Sequence, residues 1–240
     1  MKKKIILILI VVILIASYFG YKVYILDKYK TELKIQDIYK SEGTNIQIKT
    51  NKNIVNNFKE EDISFIIPNG FNKALDLEDS ETLYLEPKIE SDIITEYKAA
   101  FYFGKSPSNY SNLVYLGAGG KISTKDIKKL FKKYNINNEI DLQKYGMKVR
   151  KEKINIFSST SRIKMEYIFG TYMPISDKLM LIQGDIKGYL ISFKDEKKQI
   201  LYVANIEYNN YIYAFWFKNG TEDYFSVEKI RQFLNNVEFE

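Results

Sequence analysis

Apolar positions run unbroken from Ile5 to Ala16, and between Ile5 and Leu26 only Lys22 is charged. As a helix these 22 positions reach about 33 Å, enough to cross a hydrocarbon core of about 30 Å. Tyr18, Tyr21 and Tyr24 suit an interfacial belt, with Lys22 snorkelling toward headgroups. Residues 27–44 then mix Leu33, Ile35, Ile38 and Tyr39 with charges and read as a helical stalk, broken at Ser41-Glu42-Gly43.

Beyond it the period changes from helical to alternating. Asn45–Thr50, Asp62–Ile67, Thr82–Glu86 and Glu96–Phe103 read as strands, the second ended by the turn Pro68-Asn69-Gly70. Four runs, Lys178–Gln183, Ile186–Lys194, Gln199–Tyr208 and Tyr211–Lys218, are spaced by turn residues and predict an antiparallel meander. Asn209-Asn210 tolerates the left-handed backbone of a two-residue hairpin. The last run is apolar on both faces and predicts a central, doubly covered strand. Asn219-Gly220 turns the chain, Thr221 is expected to cap a terminal helix, and Val227, Ile230, Leu234 and Val237 form its stripe. The predicted class is α+β: an N-terminal transmembrane helix, then an antiparallel sheet flanked by helices.

Two short segments carry a family likeness. Asp62-Ile63-Ser64-Phe65-Ile66-Ile67-Pro68-Asn69-Gly70-Phe71 resembles the strand, proline, glycine and aromatic entry of PsbP-like domains. Val203–Phe239, a hairpin, aromatic strand, polar turn, terminal helix and short final strand, is similar to their ending. The resemblance covers about residues 60–240 and implies an α/β/α sandwich with binding or assembly roles in protein complexes and no conserved catalytic centre. Residues 105–150 depart from that pattern, which leaves open an insertion or a different α+β fold. No ligand-binding residue of the family maps onto this chain.

Composition narrows the chemistry further. The 240 residues contain no cysteine and no histidine, which removes disulfides, thiol nucleophiles, the usual zinc ligands and the ordinary neutral-pH proton shuttle. Lys2-Lys3-Lys4 precede the apolar run, and no small-x-small cleavage pattern follows Ala16. An uncleaved anchor is therefore expected, its lysines cytoplasmic and the C-terminal domain outside the cytoplasm. The expected organisation is a tail at 1–4, a transmembrane anchor at 5–26, the stalk at 27–44 and an extracytoplasmic α+β domain at 45–240 with a basic helical insertion at about 105–153.

The motif candidates give way to structural readings. Gly117-Ala118-Gly119-Gly120-Lys121-Ile122-Ser123-Thr124 lacks the first glycine of a phosphate-binding loop, and Ile122 stands where its hydroxyl belongs. Ser123 with Asp126 instead caps a helix whose apolar stripe is Ile127, Leu130, Phe131 and Tyr134. Ser161-Arg162-Ile163-Lys164 and Ser226-Val227-Glu228-Lys229 match S-x-x-K, but no K-[ST]-G follows either. The carboxylates of Asp76–Glu81 lack the glycine and the glutamate of a calcium loop.

Charge is the stronger signal. Residues 121–153 hold eleven Lys/Arg against four acids, a net of +7, whereas the whole chain carries +6. Lys125, Lys128, Lys129, Lys132 and Lys133 are placed on the outer face of the capped helix as candidate contacts for an anionic partner. The expected function is a membrane-anchored, non-enzymatic binding or assembly domain contacting a protein partner or an anionic envelope component. It needs no cofactor or metal and has no nucleic-acid partner. The alternative is a cell-envelope hydrolase or accessory factor working through carboxylates, the remaining acid–base groups.

Overall fold

The structure, a computed structural model, describes residues 2–30, 39–51, 58–60, 62–68, 71–76, 82–87, 97–108, 121–150, 152–172, 176–194, 199–220 and 223–240. The chain divides into two compact units, one of residues 1–38 and 110–174, the other of 39–109 and 175–240. The fold is α+β.

The first unit is helical. Helix α1 (Lys2–Lys28) is followed by α2 (Thr124–Lys133), α3 (Glu139–Val149) and α4 (Thr160–Tyr172). α1 is long and apolar enough to cross a membrane over Lys4–Lys28. Ser123 caps α2 as predicted, its hydroxyl accepting from the Asp126 amide at 3.2 Å. Asn138 caps α3 in the same way through the Asp141 amide at 2.8 Å. The glycines of the GAGG run lie outside the described residues.

The end of α1 is built into this unit. Ile25 and Tyr29 are buried, the Tyr29 ring packs edge-on against Tyr167 of α4 at 5.8 Å, and Phe19 meets Phe157 at 6.2 Å. Lys22 does not snorkel to solvent: it is 4% exposed and its ammonium donates to the Ser158 carbonyl. Sequence reasoning treats a lone lysine near a helix end as surface-seeking, whereas here a carbonyl on an adjoining loop satisfies it internally.

The second unit holds a nine-stranded sheet. Eight strands run in the order β1 (Tyr39–Glu42), β8 (Ser176–Gly184), β9 (Lys187–Lys194), β10 (Ile200–Tyr208), β11 (Tyr211–Asn219), β7 (Tyr97–Pro107), β6 (Thr82–Pro87) and β5 (Asn72–Asp76). β2 (Ile46–Ile48) lies beside β1 on the same edge of β8. β8 to β11 form the predicted meander, and Asn209 and Asn210 adopt φ of 46° and 65° as the hairpin requires. The sheet is mixed rather than purely antiparallel, because β1 and β2 both pair parallel to β8. Tyr39–Glu42, expected in the stalk, is therefore strand: its backbone completes the free edge of β8.

One face of this sheet carries the core. A small sheet of β12 (Glu238–Phe239), β4 (Ile63–Phe65) and β3 (Phe58–Lys59), together with helix α5 (Val227–Leu234), contributes to it. Phe65 is its hub, with ring centroids 5.3 to 5.9 Å from Phe101, Phe103, Phe215 and Phe233. β11 is central, yet Trp216 on its other face is 43% exposed, so the strand is not covered on both sides as expected. The terminal helix is capped by Ser226 and begins at Val227, because residues 223–226 are not helical and the Asn219 side chain bonds both backbone groups of Phe225. Thr221 lies outside the described residues.

Candidate functional site

The capped helix sorts its lysines by periodicity. Ile127, Leu130 and Phe131 point inward, so Lys125, Lys128, Lys129 and Lys132 fall on the outer face, where with Thr124 they line a shallow recess of about 500 Å³. Lys133 lies apart from them: its ammonium donates to the Ser161 hydroxyl at 2.6 Å. The five predicted lysines thus separate into a group of four and one that joins a different cluster.

That cluster surrounds a recess of about 690 Å³ among α2, α3 and α4, lined by Lys133, Tyr134, Lys144, Tyr145, Lys148 and Arg162 among others. Lys144 and Lys148 lie four residues apart on α3 and project from one face. Its acids are Asp141 and Glu152. The Asp141 carboxylate accepts from the Asn137 amide and side chain at 3.2 and 3.3 Å, and Glu152 accepts from Arg162 at 3.1 Å. Among the described residues, Lys144 and Lys148 make no ion pair.

Arg162 organises the recess from below. It is 9% exposed, and its second terminal nitrogen donates to the Val149 carbonyl at 2.9 Å, closing one of the open acceptors at the end of α3. Its Nε is buried without a hydrogen-bond partner, as is the Tyr145 hydroxyl. Burial is the main cause that pushes the Tyr145 phenol up, against the opposing pull of the Arg162 charge, so it stays a neutral donor at physiological pH. The Ser159 hydroxyl accepts from the Arg162 amide at 3.2 Å and meets Ser161 at 3.2 Å, placing two hydroxyls at the start of α4. Three lysines, unused N–H and O–H donors and a helix N-terminus converge there, an arrangement that suits an anion with several acceptor oxygens.

The S-x-x-K pairs do not assemble a nucleophile. Lys164 lies 3.6 Å from Asp126, and Ser226 accepts from the Lys229 amide as a helix cap. Of the acidic run Asp76–Glu81, residues 77–81 lie outside the described residues.

Two polar arrangements in the sheet unit were not singled out from sequence. Asp62 accepts from Lys105 at 2.6 Å and from the Tyr213 hydroxyl at 2.5 Å, linking the start of β4 to β7 and β11. Burial pushes its carboxyl up, but the bonds from Lys105 and Tyr213 outweigh it and hold it below the usual carboxylate range. The same bond to Asp62 raises Lys105. A lysine so held is a fixed charge rather than a base. Elsewhere a recess of about 820 Å³ carries Asp185, Glu207, Glu238 and Glu240 in its lining. Asp185 accepts from the Thr50 amide and hydroxyl, Glu207 from Ser108, and Glu240 from Lys59. Among the described residues no group of three or more acidic side chains is arranged to hold a metal.

No protein-family profile matches the chain, and no curated protein matches it. Among solved structures, a crystal structure from Bacteroides thetaiotaomicron VPI-5482 is similar at a TM-score of 0.34 and 14% identity over 74% of this chain. The match spans 45% of that protein.

Proposed function

We propose that the chain is a membrane-anchored, non-enzymatic binding protein whose helical unit holds an anionic component of the cell envelope outside the cytoplasm. The observation that carries this reading is the buried Arg162 beneath a recess ringed by Lys133, Lys144 and Lys148. Phosphate is the chemistry the recess fits best, since a guanidinium and lysine ammonium groups around it suit an anion with several acceptor oxygens. Retention of α1 is supported by the lack of a small-x-small cleavage pattern after Ala16. Lys2, Lys3 and Lys4 favour the cytoplasm for the N-terminus, which sends the rest outward. The PsbP-like resemblance points the same way, toward binding and assembly, and stands on its own sequence segments.

The test is binding of polyphosphate to the full-length chain in nanodiscs. Each lysine near an anionic surface contributes about 1 kcal/mol, so K144Q/K148Q weakens binding by roughly 30-fold, whereas K125Q/K129Q leaves it within about twofold. Equal affinity of K144Q/K148Q and the parent removes the recess as the site.

A second reading rests on the acidic recess of the sheet unit, where carboxylates face a concave volume as a hydrolase requires. It is the weaker one, because a general acid must hold its proton, and Asp185, Glu207 and Glu240 are each engaged as acceptors. Hydrolysis of envelope polysaccharide abolished by E207Q would establish it.

A further inference from the structure

Resting on the reading of α1 as a retained anchor, we infer that the loop carrying Phe157 is a second membrane contact, with the Phe157 ring set into the outer edge of the lipid bilayer beside α1. Phe157 is 74% exposed, more than any of the large apolar residues from Ile5 to Ile15 of α1. An aromatic ring that far into solvent is unusual for a residue held in an ordered turn.

The length of α1 determines the depth. From Ile5 to Tyr18 the helix supplies 14 exposed-side positions, about 21 Å at 1.5 Å per residue. A hydrocarbon core of about 30 Å needs about six residues more, up to about Tyr24. On its outward side α1 meets that need, since Tyr21, Val23 and Tyr24 are exposed at 52 to 57%. The opposite side at the same height is not open to lipid: Lys22 and Ile25 are buried there, and Phe19 is capped by Phe157. Phe157 therefore lies beside a residue about 7 Å below the level of Tyr24, inside the boundary that the other side of the helix marks.

The loop is built for this environment. Asn155 accepts from the Phe157 amide at 2.9 Å, its own amide donates to the Ser158 hydroxyl at 3.0 Å, and the Ser158 amide donates back to the Asn155 carbonyl at 3.0 Å. Backbone donors near lipid have no water to turn to, and here the amides of residues 155, 157 and 158 are met within the loop itself. Lys22 completes the pattern, facing the protein and bonded to the Ser158 carbonyl, as ionisable groups within a membrane segment do. Ser158 and Ser159 also line the basic recess, so the insertion places that rim at the headgroup layer.

Single-tryptophan chains on a W216F background test this in vesicles of phosphatidylcholine and phosphatidylglycerol with brominated acyl chains. V12W reports the anchor, F157W the loop, and K129W the aqueous baseline of the lysine face. The expected result is strong quenching of V12W and at least twofold quenching of F157W relative to K129W. Quenching of V12W with F157W no more affected than K129W overturns the loop contact and leaves the anchor standing. Absence of quenching at V12W overturns the anchor and the loop contact with it.

Discussion

Asp62 shows how much one carboxylate can hold together. It receives Lys105 and Tyr213 on a single oxygen, while its other oxygen is buried without a partner. Its lowered value means that the stabilisation is present above the unfolded carboxyl range near pH 4 and is lost as pH falls through the folded value. The raised Lys105 describes the same bond from the other side, present below the unfolded lysine value and lost as pH rises through the folded one. D62N is expected to lower stability at pH 7 by about 2 kcal/mol, with a smaller difference from the parent near pH 3; denaturant melts at both pH values measure it. This group was invisible in sequence, since residues 62, 105 and 213 meet only through the pairing of β7 with β11 and the seating of β4. Arg162 was hidden for the same reason: it was read as the second letter of S-x-x-K, and its burial is a tertiary fact.

Elements were legible where one face is buried and one is wet. Helix α2 and β11 show that contrast, and the cap at Ser123 and the hairpin at Asn209-Asn210 followed from local chemistry alone. Helix α4 was missed because it is buried nearly all round, with Ile163, Met165, Tyr167, Ile168 and Phe169 joined inside by Arg162 and Glu166, so no stripe marks its period. β1 was missed because four residues drawn from a charged segment become strand only when β8 offers an edge. The turn between β8 and β9 gives the sharpest test of an element. Gly184 has φ of 116°, and a Cβ there would stand 1.9 Å from the Ile48 carbonyl oxygen. G184A is expected to cost on the order of 2 kcal/mol or more and to loosen β2 from β8; hydrogen exchange at the amides of residues 46–48 reads it.

At the scale of the whole molecule, charge and topology coincide in the helical unit. The segment that carries the basic excess is inserted between β7 and β8, and it belongs with α1 rather than with the strands that flank it. A chain lacking residues 1–30 therefore loses more than an apolar helix. Lys22, Ile25 and Tyr29 leave the helical unit together, and the expected outcome is a lower-melting, protease-sensitive region at 121–172 while amides of β9 to β11 keep their protection; limited proteolysis with mass spectrometry distinguishes the two.

The bond between Lys22 and Ser158 spans 136 residues, as does the side-chain bond between Gln47 and Gln183 on paired β2 and β8. During synthesis at about 5 to 20 residues per second, each early partner waits roughly 7 to 27 s for its later one. Through that interval Lys22 and two strands with an open edge have only the nascent chain around them. A chaperone that recognises such half-made surfaces has its opportunity then, and slowing translation between residues 50 and 176 should lengthen its hold on this chain.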